Sequence, residues 1–249
     1  MTGGQPVAGS VQPADRATVK NTSPFSSERK NNAIRTEDKK MVDSLLRAVT
    51  SAVWRSLDLG SKQALYDYSG AGYESINAML AGKPISGDRQ KTKEQINRIR
   101  DAINKSPLPA DMWLFRGIRI ETAKDMFGEV SIRHIQDMIQ KEELILNSPF
   151  ISCGSSVGSG NTERPVQLEI YAPKGTKALY MEPFAMCGDG DKLKWDGNTG
   201  QQTFSPEFET LVQCGAVLRP IAVKEVQSAY GKQLLVALEI VGQDPDHGA

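Results

Sequence analysis

Two hydrophobic periodicities divide this 249-residue chain, and their order constrains the fold more than any other feature. Val42, Leu45, Leu46, Val49, Val53 and Leu57 recur at helical spacing, and Gly60 follows as a stop signal. Tyr73 to Leu80 reads as a short helix with Ile76 and Leu80 on one face. Thr92 to Ile103 reads as another, carrying Ile96, Ile99 and Ile103. The stretch "KSPLP" (105–109) ends it, because proline disfavours helix at the preceding residue. "MWLFRGI" (112–118) then reads as a short strand, and Ser131 as the cap of a helix bearing Ile132, Ile135, Met138 and Ile139. Beyond it the pattern is that of strands: "ELILNSPFIS", "VQLEIYA", "KALYM", "ETLVQCGAVLRPIAV" and "QLLVALEIV", most of them separated by Gly, Pro or Asn. Helices first and strands later argue for an α+β fold with a mostly antiparallel sheet or sandwich, and against βαβ repeats.

Residues 1–38 are rich in Gly, Ser, Pro, Thr, Gln and Asn and poor in large apolar side chains. Such a segment cannot bury enough apolar surface to offset its ordering entropy, so it is predicted to be a flexible leader, either a plain tail or an uncleaved export signal. The rest, 39–245, is predicted to form one domain, helical over 39–106 and strand-rich over 107–245. "MTGGQPVAGS" has neither a basic n-region nor an apolar h-region. No apolar run approaches the roughly 18 residues of a membrane span. Lys and Arg balance Asp and Glu at zero formal charge, which gives no global footprint for nucleic acid. Cys153, Cys187 and Cys214 are widely spaced and odd in number, so no disulfide framework is expected. With only His134 and His247, no multi-histidine metal site is expected either. A nucleophile pair of Cys153 and His134 is conceivable, but no local motif surrounds either residue.

Three polar features lie in the strand-rich half or at its entrance. Arg116 sits in "LFRG", Ser152 in "SPFISCGSS", and Glu207 and Glu209 in "FSPEFETLV". Each alone is weak: an Arg-Gly at a strand end is usually a surface feature, Ser beside Gly a turn, and Glu-x-Glu a solvated face. A carboxylate at the mouth of a buried strand, however, is costly without a partner or a task.

In their order and context these features resemble the arginine-specific mono-ADP-ribosyltransferases of the toxin and bacterial-effector class. That family carries an aromatic-Arg-Gly, an aromatic-x-Ser-Thr-Ser strand and a Glu-x-Glu. Here they correspond to Phe115-Arg116-Gly117, Phe150-Ile151-Ser152 and Glu207-Phe208-Glu209, with Ser152-Cys153-Gly154 in place of Ser-Thr-Ser. "ALYDYSGAGYESINAML", "YAPKGTKALYM" and "EFETLVQCGAVLRPI" extend the resemblance over roughly 40–241. It implies a helical layer packed on a mostly antiparallel two-sheet β core.

The resemblance also implies a chemistry. NAD⁺ would be the substrate, with no metal, and cleavage of its nicotinamide–ribose bond passes through an oxocarbenium-like transition state. Glu209 would hold the ribose 2′-OH and stabilise the developing cation. Arg116, followed by Gly117, would hold phosphate or ribose oxygens in its planar fork. Ser152 would hydrogen-bond Glu209 and fix its rotamer. Glu207 would orient an incoming guanidinium and take its proton. Alternate residues of an extended chain point to one face, which accounts for the i, i+2 spacing. By the same resemblance Glu at 207 points to an arginine acceptor, where Gln would point to Asn, Asp or Cys. The stretch "SSVGSGNTERP" would be the phosphate–nicotinamide loop, with Arg164 holding phosphate. Residues 188–206 would form the loop that meets the target protein, with Phe204 and Trp195 as its aromatic anchors.

The reading is therefore a secreted, monomeric enzyme, injected into a host cell by a specialised (type III) system. It would modify an arginine of a target protein, with water as a competing acceptor, and bind neither nucleic acid nor membrane. The alternative is a catalytically degenerate transferase fold that acts by binding a partner; an unrelated α+β domain with chance motifs is the third reading.

Overall fold

The computed structural model describes residues 27–186 and 207–246. Three aspartates start the long helices. Asp38 caps α2 (Lys39–Ser56) by accepting from the N–H groups of Lys40 and Met41 at 3.0 and 3.1 Å. Asp58 caps α3 (Leu59–Asp67) through Ser61 N–H at 2.7 Å, and Asp88 caps α5 (Arg89–Asn104) through Gln90 and Lys91. Gly60 is therefore not a stop signal. The helix ends at Ser56, capped by extended Leu57, and Gly60 lies in the first turn of α3, where an added Cβ would sit 2.7 Å from the Arg98 guanidinium. A kink at Tyr68–Gly72, where Gly70 leaves helical geometry at φ −93° and ψ −125°, leads into α4 (Tyr73–Leu80), and Tyr68 is buried there. Among the described residues, no helix is long and apolar enough to cross a membrane.

Residues 27–38 belong to the stretch predicted to be a flexible leader, yet they are held to the rest of the chain. From α1 (Ser27–Asn31) onward the chain is fastened to the strand-rich part. Arg29 pairs with Asp111, and Lys30 with the fully buried Glu239 at 2.8 Å. Ile34 exchanges backbone hydrogen bonds with Asp111 and Trp113, and Arg35 reaches Glu169 at 2.6 Å. Composition hides this attachment because charged pairs and main-chain bonds, rather than apolar side chains, carry most of it.

The strands are β1 (Met112–Ile118), β2 (Ile145–Asn147), β3 (Ile151–Gly154), β4 (Val166–Ala172), β5 (Ala178–Tyr180), β6 (Glu209–Val212), β7 (Ala216–Ser228) and β8 (Gly231–Gln243). Two helices, α6 (Ile120–Phe127) and α7 (Ile132–Gln140), fall between β1 and β2. Ser131 caps α7 as predicted, accepting from His134 N–H at 3.1 Å. Both long predicted strands break. Residues 143–152 split around Ser148-Pro149, sending β2 to one edge of the sheet and β3 to its interior. Residues 209–223 split at Gly215, whose φ of 68° and approach to the Asp244 carbonyl leave no room for a Cβ.

The eight strands form one hydrogen-bonded sheet in the order β2-β7-β8-β4-β1-β3-β6-β5, antiparallel except for β4 with β8. The two-sheet core takes the form of two halves of this sheet, joined between β1 and β3 by the single register pair Phe115–Gly154. Side chains from both halves share one apolar cluster, with Leu114, Leu168 and Leu238 meeting Ile151, Tyr180 and Val212. The other face of the short half, through Phe150, Leu179 and Leu211, packs on the helical layer. The β3-β6-β5 half is thus covered on both faces, and the joint between the halves is where polar groups can gather.

Candidate active site

The joint gathers the predicted residues. Arg116, half-buried on β1, donates from Nη1 to the Ser152 carbonyl of β3 at 2.9 Å. The Ser152 hydroxyl faces the carboxylate of Glu209, the first residue of β6, and favours its charged form. Glu209 is only 9% exposed. Burial pushes its carboxyl up to about 7, reinforced by the charges of Glu207 and Glu182 and opposed by Ser152 and Arg116.

Glu207 stands exposed at the rim of the same cleft, which has a volume of about 260 Å³. The expectation that 207–209 is an extended run with both carboxylates on one face is corrected. Phe208 adopts φ 54°, a left-handed conformation costly for a bulky residue. Its peptide groups are clamped: the N–H donates to buried Glu182 at 2.7 Å, and the carbonyl accepts from Ser155 N–H and Oγ at 3.0 and 2.6 Å. Backbone reversal at Phe208, rather than strand alternation, brings Glu207 and Glu209 to one cleft.

Three glycines let the 155–165 loop press against the joint. A Cβ on Gly117 would lie 1.8 Å from the Asn161 carbonyl, one on Gly154 2.0 Å from Ser159 Oγ, and one on Gly160 2.2 Å from the Phe115 carbonyl. Glycine at 154, where the resembling family has Ser, is therefore what admits the loop. Its residues Ser159, Gly160 and Asn161 form one wall of the cleft.

Not every predicted residue arrives there. Arg164 is absent from the cleft lining and pairs with neighbouring Glu163 at 3.2 Å. Trp195 and Phe204 lie outside the described residues, as do Cys187 and His247. Cys153 and His134 form no nucleophile pair. Burial pushes the Cys153 thiol up to about 12 among apolar neighbours, and His134 Nε2 is bonded to the Phe127 carbonyl at 2.8 Å. Among the described residues, no group of three or more His, Cys, Asp or Glu is placed to hold a metal ion.

Sequence reasoning missed Lys39, which lines the cleft and sets its Nζ 5.2 Å from the Phe208 ring centroid. It also missed Asn161, the clamp residues Ser155 and Glu182, and Tyr68, whose buried phenol is raised by burial and by the charge of Glu209. The "GSGNT" stretch was a readable sign of a tight turn at Asn161. Lys39, Glu182 and Tyr68 carry no local signal, since tertiary contacts alone bring them to the joint.

Comparison with known proteins places this geometry in a family. Residues 47–241 match the ADP-ribosyltransferase exoenzyme family. Over 143 residues the chain is 25% identical to the epidermal cell differentiation inhibitor of Staphylococcus aureus, a match that covers 48% of this chain and 56% of that protein. The fold is similar to that of Plx2a, an ADP-ribosyltransferase toxin from Paenibacillus larvae, with a TM-score of 0.65 and 18% identity over 84% of this chain and 99% of that one. It is also similar to C3stau2 from S. aureus, solved with NAD, with a TM-score of 0.63 and 16% identity over 85% and 99% of the two chains. A family match spanning most of the chain, the matching α+β fold and the gathering of Arg116, Ser152 and Glu209 at one joint lead to the same assignment: this chain belongs to the ADP-ribosyltransferase exoenzyme family.

Proposed function

We propose that the protein transfers ADP-ribose from NAD⁺ to an arginine side chain of a target protein and releases nicotinamide. The observation that carries the reading is the Arg116–Ser152–Glu209 chain of contacts beneath a cleft whose rim holds a second carboxylate, Glu207.

In this reading the ribose of NAD⁺ sits over Glu209. Its carboxylate accepts from the 2′-OH, a bond that strengthens as positive charge develops on the ribose. The bond between C1′ and the nicotinamide nitrogen breaks, and its electron pair leaves with nicotinamide. Glu209 acts ionised, and the cationic nicotinamide riboside beside it favours that form. Ser152 holds the carboxylate's orientation. Arg116, behind Ser152, supplies positive charge for the phosphates, and Gly117 acts indirectly, by admitting the loop wall that holds Asn161. A nitrogen of the target guanidinium forms the new bond to C1′ while Glu207 accepts its proton. Without a target in place, water takes the same position and NAD⁺ is hydrolysed. Arg164, Trp195 and Phe204 are retained as candidate contacts to phosphate and target. That proteins of similar fold, such as Plx2a, are toxins supports a setting in which the chain is exported and modifies a protein of a host cell.

Labelled NAD⁺, incubated with the protein and eukaryotic cell lysates, tests this directly. The intact chain is expected to label a protein through a hydroxylamine-sensitive bond. Glu209→Gln abolishes labelling and nicotinamide release, whereas Glu207→Gln abolishes labelling and keeps nicotinamide release. If the intact chain neither labels nor releases nicotinamide in a lysate that a known arginine-specific transferase does label, the enzymatic reading fails and the fold acts as a binding module.

A further inference from the structure

A second hollow of about 460 Å³ lies where α5 faces α4, and none of its lining residues contributes to the cleft. Three cations surround it. Arg89 and Lys93 are exposed at its mouth, and Arg100, only 7% exposed, lies at its inner end. Arg100 Nε donates to the Cys214 sulfur at 3.2 Å, while its Nη2 has no hydrogen-bond partner. Burial raises the Cys214 thiol, so that acceptor is neutral and weak at ordinary pH. Arginine remains protonated in proteins, so this guanidinium carries a buried charge.

Buried charges are normally paired, because desolvation is otherwise uncompensated. Among the described residues, none of Arg89, Lys93 and Arg100 forms an ion pair. The acidic residues of α5 are engaged elsewhere: Glu94 accepts from Gln90, and Glu94 and Asp101 line a different hollow beside Asp58. The N-terminal amides of α5 are occupied by Asp88, so the site is defined by side-chain cations rather than by the helix end. Asn97 adds an amide, and Met79, Leu80 and Ile96 supply apolar wall.

We propose that the α4–α5 hollow binds a phosphate-bearing small molecule, with Arg89 and Lys93 capturing the phosphate at the mouth and the unpaired charge of Arg100 attracting it from the inner end. A phosphate group carries close to two negative charges at neutral pH and three acceptor oxygens, which suits a hollow lined by several cations better than a single carboxylate does. The hollow is larger than a lone phosphate ion needs and falls within the ordinary range for organic ligands. A free organic phosphate and a phosphorylated lipid headgroup share this chemistry. The inference is independent of the reaction assigned to the cleft.

The test is a calorimetric and thermal-shift titration of the full chain with pyrophosphate and with inositol hexakisphosphate, at near-physiological salt and with saturating NAD⁺ present. A parallel arm measures sedimentation with phosphatidylcholine vesicles containing a bisphosphorylated phosphoinositide. Saturable binding of at least one probe is expected, with a rise in Tm by mass action. The exposed double variant R89Q/K93Q should weaken it roughly tenfold or more. Arg100→Met should also weaken it, and where that variant does not fold, R89Q/K93Q alone decides. Binding of soluble probes points to a free phosphate, and binding of vesicles alone to a lipid headgroup. The proposal is overturned if no probe binds saturably, or if R89Q/K93Q binds as tightly as the intact chain.

Discussion

Glu209 stands directly opposite Gly154 in the β3–β6 ladder, and Gly154 in turn stands opposite Phe115 across the joint between the sheet halves. One glycine thus connects the buried carboxylate to the half of the sheet that carries Arg116. Gly154→Ala places a methyl against Ser159 and Gly160 and displaces the loop wall. It is expected to cost about 1–3 kcal/mol of stability in urea unfolding and to raise the KM for NAD⁺ more than it lowers kcat.

Glu209 also sets a conflict between stability and chemistry. Its carboxyl is raised from 4.5 to about 7, so the folded chain holds that proton more tightly than the unfolded chain does. Its contribution therefore falls as pH rises between those values, and the whole penalty, on the order of 3 kcal/mol at most, is present above about pH 7. Glu209→Gln should unfold at higher urea concentration than the intact chain at about pH 8. The gap should close towards about pH 4, while the variant turns over no NAD⁺ at any pH.

The neighbours of Glu209 should move its titration in opposite directions. Glu182→Gln removes a negative charge that raises the carboxyl, yet keeps an oxygen for the Phe208 N–H. The pH midpoint of NAD⁺ turnover should fall. Ser152→Ala removes the hydroxyl that lowers the carboxyl, so its midpoint should rise. Midpoints that move in the same direction in the two variants would contradict the assigned surroundings of Glu209.

The attachment of residues 27–38 is measurable by truncation. A chain starting at Lys39 lacks the Lys30 partner of buried Glu239 and the backbone bonds of Ile34. Arg219 still pairs with Glu239 at 2.7 Å and tempers the loss. The shorter chain should melt at least about 5 °C below one starting at Ser27 in a calorimetric scan.

The helical layer was legible because Val42, Leu46 and Val53 follow a regular period and all point inward. Arg116, Ser152 and Glu209 were legible because each sits in a short local pattern, although only the fold brings them together. The division of 143–152 and 209–223 was not. Every residue of β6 is buried, so alternation gives no boundary, and a broken apolar run reads like a continuous one. The left-handed Phe208 was equally hidden, since Ser155 and Glu182, far along the chain, hold it there. Helix α6 escaped notice because Ala123 and Phe127 are its only fully buried side chains.

The glycines at 117, 154 and 160 have a consequence for how this protein can vary. Where the loop meets the joint, close contacts are made by main-chain atoms and by Ser159, so the fit depends on what is missing from those three positions. A saturation scan of this region should therefore trace a narrow line of intolerance. Single added methyl groups should fail by collision at the three glycines, while at exposed Gly158, which faces open space, the cost of any side chain comes from its φ of 79° alone.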